Sequence, residues 1–478
     1  MSASPLEEAS LEDIVEPGVG SAAAGDDART TEMLEKTSSL QVRLALTCIL
    51  VTVLGGAVGA LHYVPTISTL LNEWGVTLPQ MRPIHTSFAS MWIFGASVAV
   101  VYHWLCTHHG GLTKGDLLRF RLHTVAWVVS GIGIFVSLFL GVSSGREYLG
   151  FHPAFSAVLL FGWLMFLWNV VRRLRHGFFA QPIYVWFWTI GCVFFCYTFV
   201  EGHAYLLPSV FESPVRDLQV QWKSCGTLVG SFNFLMYGSL TYVGEKMSGD
   251  KRYAQSPVAF WLFAVGCLNS FTNYVHHTYH LPQTHVVKWV AFIVSMMEII
   301  ILVKLMVDLA AMVRAKNGAS GKPFCGRGAW LVTAKWWTVA MLLTSIVISV
   351  PTFNTLIHGT QLVMGHAMGA TVGIDTIVLL GTSSWLICEL RGKAARSGVD
   401  APLTRQSVHW ISGALAVLVG WLSVAGFMHG YTRYYGEATP GWVAGSRFLL
   451  PVVGGVLGIW LLIAAVRLIK FATPKASA

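Results

Sequence analysis

The chain has 478 residues, of which 54% are hydrophobic and only 12% charged, with 19 Trp and a formal net charge of +9. Soluble globular chains carry about 25% charged residues, so an ordinary soluble enzyme is excluded, and this much apolar residue excludes a disordered protein. The mean hydropathy of +0.60 defines an all-α, polytopic membrane protein, in which a positive excess reflects cytoplasmic loops rather than nucleic-acid binding.

Residues 1–40 are rich in Ala, Ser, Gly, Glu and Asp and read as a disordered cytoplasmic tail. They lack the basic start and early apolar core of a signal peptide. Residues 41–473 read as one transmembrane catalytic domain. A bilayer takes about 20 apolar residues per crossing, and twelve such spans follow in order. They lie near 43–71, 83–106, 119–142, 152–174, 182–207, 223–244, 257–280, 285–313, 330–350, 360–389, 408–430 and 446–471. With the N-terminus in the cytoplasm, the cytoplasmic segments hold 24 Lys and Arg and the outer ones 6. That asymmetry predicts that both termini lie on the cytoplasmic side of the lipid bilayer. The eight Cys form no CxxC and no CxxCH, which excludes a zinc knuckle and a covalently attached haem.

Seventeen His are many for so apolar a chain. His85 falls at the outer end of the second span, in MRPIHTSFASMWIFG. His276 and His277 fall near the outer end of the seventh, in NYVHHTYHLPQ. His358 precedes the tenth span and His366 opens it, in FNTLIHGTQLVMGHAMGA. Odd and even spans run in opposite directions, yet all five imidazoles reach one depth. A metal or haem site between helices is built in this way. His276 and His277 point about 100° apart on a helix, so both can bind one metal. His366 and Met368 point about 200° apart and can ligate haems on opposite faces of one helix. The competing reading is packing: a lone intramembrane His is commonly a hydrogen-bonded core residue, and Met is a common core filler. Others, such as His103 and His123, are expected to be packing residues.

At these residues the chain resembles the haem–copper oxidase superfamily, whose catalytic subunit has twelve helices and which includes the nitric oxide reductases. The resemblance covers nearly the whole chain from about residue 43. RPIHTS looks like the second-helix motif and implies that His85 binds a low-spin haem. SSGREY, at 143–148, is similar to the outer loop of cbb-type oxidases and nitric oxide reductases, which implies that Glu147 helps hold a calcium between haem propionates. VHH is similar to the seventh-helix pair, which implies that His276 and His277 hold a non-haem iron or copper. HGTQLVMGHAMG looks like the tenth-helix segment, with His366 on a high-spin haem; both haems are expected to be b-type.

Two departures from the family pattern matter. The tenth helix usually reads HxH, and here it reads HAM, which puts Met368 in the place of the low-spin haem ligand. The sixth-helix His of the family corresponds to Gly226, beside Cys225. A third ligand to the metal would then come from Cys225, Glu298 or Glu201, or the metal is absent. Cbb-type oxidases carry an active-site Tyr about two turns before the seventh-helix pair, where this chain has Ser270, with Tyr274 and Tyr279 nearby. Nitric oxide reductases carry a Glu in the eighth helix, and Glu298 sits mid-span in VSMMEIIILVKLM. A carboxylate there is costly; it ligates the metal, relays protons, or pairs with Lys304 or another polar group. Lys304 and Asp308 are four residues apart and can pair with each other.

The resemblance implies a nitric-oxide-reductase-like subunit, with Glu298, His276 and His277 as catalytic residues. Two NO, two electrons and two protons would give nitrous oxide and water. Electrons would come from a membrane-anchored cytochrome c, a cupredoxin subunit or a quinol. The alternatives are a dioxygen-reducing cbb-type oxidase, opposed by the missing His and Tyr, and a non-catalytic haem electron-transfer or sensor protein.

Overall fold

The computed structural model describes residues 24–108, 111–174, 177–319 and 326–474, and among them the regular structure is helical, with no strand. Twelve helices are long. They are α1 (Leu40–Leu61), α2 (Leu78–Thr107), α3 (Lys114–Phe139), α4 (Pro153–Val171), α5 (Ile183–Glu201) and α6 (Pro214–Ser248), then α7 (Pro257–Thr272), α8 (His285–Ala319) and α9 (Gly326–Ser349). The tenth, α10, runs from Gln361–Met368 through a wide turn, Gly369–Thr376, into Ile377–Val399; α11 is Pro402–Tyr435 and α12 is Leu449–Ala472. Local chemistry sets the starts. Pro stands in the first turn of α2, α4, α6, α7 and α11, where its missing N–H costs nothing. Thr77 and Gln80 form a capping box on α2, and Thr113 and Asp116 form one on α3.

Among the described residues, eleven helices are long and apolar enough to cross a membrane. Twelve spans are expected from the sequence, and the difference is α6, which has 35 residues but a polar composition. Its stretch from Ser224 to Glu245 is almost continuously buried, including Ser224, Thr227, Ser231, Ser239 and Thr241. It packs against α2, α5, α7, α8 and α10. A helix enclosed by other helices meets little lipid, so small and hydroxylated residues serve it better than Leu or Ile. The three helices α2, α6 and α10 touch one another pairwise and form the centre of the bundle.

A second difference lies at the N-terminus. The segment expected as tail is helical from residue 24: Ala24–Leu34 and a wide turn, Glu35–Ser39, lead straight into α1. Residues 1–23 of that expected tail lie outside the described ones. The polar residues before α1 are buried because neighbouring helices satisfy them. The Ser38 hydroxyl donates to the Ala99 carbonyl at 2.6 Å, and Glu35 pairs with Arg391 at 2.6 Å. Such partners replace the water that a polar tail would need.

At the opposite side of the sequence-predicted topology from His85, Asp116 is buried at the start of α3. It accepts from the Thr113 backbone at 2.9 Å and pairs with Arg173 at 2.7 Å, and with Arg119. Arg173 is itself only 5% exposed. Removing one partner of a buried pair leaves the other charge uncompensated, which costs about 3 kcal/mol or more. Asp116→Ala is therefore expected to lower the melting temperature of the detergent-solubilised protein clearly; an unchanged melting curve would show that this cluster does not hold α3 to α4.

Candidate haem and metal site

The site starts with a close approach of α1 and α2. In α1 the run Gly-Gly-Ala-Val-Gly, residues 55–59, removes side chains from the face that meets α2. A Cβ on Gly55 would lie 3.3 Å from the His85 backbone nitrogen, and one on Gly56 would lie 2.6 Å from His85 Nδ1. Small residues let membrane helices approach in this way. The His85 ring therefore packs flat against bare backbone. Its Nδ1 donates to the Thr52 carbonyl, one turn before Gly56, at 2.8 Å. A carbonyl can only accept, so Nδ1 carries the proton and Nε2 keeps its lone pair. That is the tautomer a metal ligand needs, held by an outer hydrogen bond.

His366 is prepared similarly. The Thr344 hydroxyl of α9 donates to the Met341 carbonyl at 2.9 Å, so its oxygen can accept from His366 Nδ1 at 3.4 Å. Nε2 is again left free. Met368 is half-buried and packs against the main core. After it the helix widens, and this turn is pressed onto α9: a Cβ on Gly369 would strike the Met341 sulfur, and one on Gly373 would come 2.6 Å from the Trp337 ring.

His276 and His277 do not continue α7 as regular helix. They lie in a tight 3₁₀ turn, Asn273–His277, with ring centroids 4.3 Å apart. His277 stacks on Trp222 of α6 at 4.5 Å, with ring planes 4° apart. His276 Nδ1 and Asn273 Oδ1 are buried and find no hydrogen-bond partner among the described residues. The His276 Nδ1 atom, bound to no protein group, is available to a ligand. His366 and His358 stand within electrostatic range of both His276 and His277. His358 donates to the His277 carbonyl, and its ring lies 4.5 Å from that of His280. Burial, then His280, holds His358 below the ordinary imidazole value, opposed by that hydrogen bond. The structure thus brings His276, His277, His358 and His366 together, while His85 stands apart against α1.

The candidates for a third metal ligand are engaged elsewhere. Cys225 donates to the Glu147 carbonyl at 3.6 Å. Glu201 accepts from Tyr197 at 2.9 Å and pairs with Lys223. Glu298, 8% exposed, accepts from the Asn269 side-chain amide, which in turn accepts from Ser295 at 3.0 Å. Asn269 lies about two turns from His276. Lys304 pairs with Asp308 at 2.6 Å, so the polar partner of Glu298 is Asn269. Gly226 offers no side chain, and a Cβ there would strike Asn273 Oδ1 and lie 3.4 Å from Tyr274 Cβ. Among the described residues, no three His, Cys, Asp or Glu side chains converge as a metal cluster. At the outer loop, the Glu147 carboxylate pairs with Arg82 at 3.0 Å, three residues before His85. The residues present therefore fit haem at His85 and His366, and offer a non-haem metal two imidazoles.

Sequence reasoning missed Thr52, Gly56, Thr344, Asn269 and Trp222, because each acts through a contact between distant segments. The Gly-rich run in α1 was the one signal of a close approach.

The model of the family described as cytochrome c and quinol oxidase polypeptide I matches residues 39–457. The chain belongs to that family, the subunit I of haem–copper oxidases. Among solved structures, a heme-copper terminal oxidase dimer determined by cryo-EM has the same fold, with a TM-score of 0.70 at 15% identity, over 92% of this chain and 85% of that one. Among curated proteins, none matches the sequence. The protein is therefore a membrane respiratory oxidoreductase of a family that carries haem and a metal centre and draws electrons from cytochrome c or quinol donors.

If Gly56 is the floor of the His85 ring, Gly56→Val must displace that ring. The expected result is loss of one haem signal with any other haem retained. A normal haem spectrum in the Val variant would remove Gly56 and His85 from the site.

Proposed function

We propose that the protein reduces nitric oxide to nitrous oxide, in a bacterial inner membrane with both termini in the cytoplasm. The observation that carries this reading is the pairing of a buried carboxylate with a missing phenol. At position 270 a Ser donates to the Gly266 carbonyl at 2.8 Å and closes on Gly230, so no tyrosine occupies the place that dioxygen cleavage draws on. Glu298 is buried on the neighbouring α8.

His85 and Met368 would hold a low-spin b-type haem, His366 a high-spin b-type haem, and His276 and His277 a non-haem iron or copper. When bound, these groups supply electron storage and a place for the gas to bind. The chain does the rest. Thr52 and Thr344 fix the imidazole tautomers, and Trp222 holds the His277 ring. Glu298, with Asn269 and Ser295, keeps an exchangeable proton away from loop water. Each turnover joins two NO with two electrons and two protons, giving nitrous oxide and water, so two protons must reach the site. Electrons arrive from a membrane-anchored cytochrome c, a cupredoxin or a quinol. Calcium at Glu147 would require its carboxylate to share with or leave Arg82, and no step is assigned to it.

A second reading is favoured by the glycine at position 226, which offers no ligand and leaves the metal site two imidazoles. In that reading the protein carries electrons or senses NO without turnover. Metal analysis separates the two: two haems with no other metal would favour the electron carrier, and two haems with one iron or copper would favour the reductase.

Two mutations test the roles. Met368→His is expected to lower the low-spin haem potential and give a bis-His spectrum, since a thioether ligand raises the potential; a wild-type spectrum that is already bis-His would exclude Met368 as ligand. Glu298→Gln keeps size and removes the exchangeable proton, and should abolish most NO consumption with the haem spectrum nearly unchanged. Rapid dioxygen use without NO use by wild type would sink the reductase reading, and a fully active Gln variant would remove Glu298 from the reaction.

A further inference from the structure

Asp375 is a second intramembrane carboxylate, seven residues past Met368 in the wide turn Gly369–Thr376 of α10. It is 5% exposed, and among the described residues it makes no hydrogen bond and no ion pair. Its neighbour Thr376 accepts from Trp92 Nε1 of α2 at 3.3 Å, which ties this turn to α2 about two turns deeper than His85. With 1.5 Å of rise per residue, Asp375 lies about 20 Å from the start of α10, and Glu298 about 20 Å from the start of α8. The two carboxylates therefore share one depth. Tyr237 of α6, 3% exposed, stands within electrostatic range of both. Tyr148 of the loop after α3 stands within electrostatic range of Asp375 as well.

An unpaired acid in a membrane span is expensive to keep without a function, and wide helical turns cluster at functional sites. A structural acid would be paired, as Asp116 is with Arg173. A cation ligand would have other donors beside it, and among the described residues no cluster of three exists. Proton exchange needs neither. We propose that Asp375 is the proton-accepting residue of the gas-reducing reaction, exchanging its proton with Glu298 through Tyr237 and intervening water. The carboxylate takes up one proton as an electron reaches the centre, and returns it as the oxygen of NO becomes water. The aspartate is neither oxidised nor reduced, and the electrons come from the cytochrome, cupredoxin or quinol donor.

This inference rests on the gas-reducing reading, and the experiment separates them. Haem-loaded wild type, Asp375→Asn, Asp375→Glu and Tyr237→Phe are compared in gas consumption and in infrared difference spectra between the oxidised and reduced protein. Asp375→Asn should consume NO about a hundredfold more slowly, the scale of a lost proton-transfer group, with unchanged haem absorption. Asp375→Glu should restore most of the rate. A protonated-carboxyl band should appear on reduction of wild type, vanish in the Asn variant and shift in the Glu variant. Tyr237→Phe should slow turnover and enlarge the solvent isotope effect while keeping the band. A carboxyl band that survives Asp375→Asn, or wild-type turnover in that variant, would overturn the proposal. If the Asn variant does not assemble with haem, an unshifted band in the Glu variant would overturn it. Wild type that consumes no gas would end the gas-reducing reading alone, and the infrared band would still decide Asp375.

Discussion

The contact between Gly226 of α6 and the turn Asn273–His277 governs the site. At that point the Asn273 side chain lies against the bare α6 backbone, and a Cβ on Gly226 would strike its Oδ1. The approach sets the turn, the turn places the two imidazoles side by side, and Trp222, one turn earlier on α6, stacks on the second of them. A side chain at position 226 would have to displace the Asn273 carboxamide, and the glycine present there offers no third ligand.

The rest of the centre follows one rule of the bilayer interior: polar groups must be satisfied from within the protein. Thr52 and Thr344 satisfy Nδ1 of His85 and His366, and in doing so leave the metal-binding nitrogen of each ring free. Asn269 binds Glu298, while Lys223 and Tyr197 meet one oxygen of Glu201. Among the described residues, His276 Nδ1 and Asn273 Oδ1 find no partner in the candidate metal site. Asp375, 5% exposed, lies about two turns deeper than His85.

The polar character of α6 has the same origin. Enclosed by five other helices, it gains from small residues that let α5 and α7 come close. Gly230 meets Ser270 of α7, and Gly238 meets Trp188 of α5 at 2.6 Å from its would-be Cβ. A more apolar helix would be bulkier and would push apart the elements that carry the histidines.

Much was determined by sequence alone. Apolar spacing defined a helical membrane bundle, because the bilayer demands a fixed length of apolar chain for each crossing. The alternation of span direction put His276, His277, His358 and His366 at one depth, and the structure brings those four into electrostatic range. Depth is a one-dimensional property, and a sequence is one-dimensional as well. Lateral position is not. Only the tertiary structure decided that His85 stands apart against Gly56, that Glu298 binds Asn269, that Cys225 points to the Glu147 carbonyl, and that residues 24–40 are helical rather than tail, with Thr37, Ser38 and Ser39 buried. Each of these depends on which helix face meets which neighbour, a choice made by close packing between segments far apart in the chain, where a single missing Cβ determines how near two helices can come.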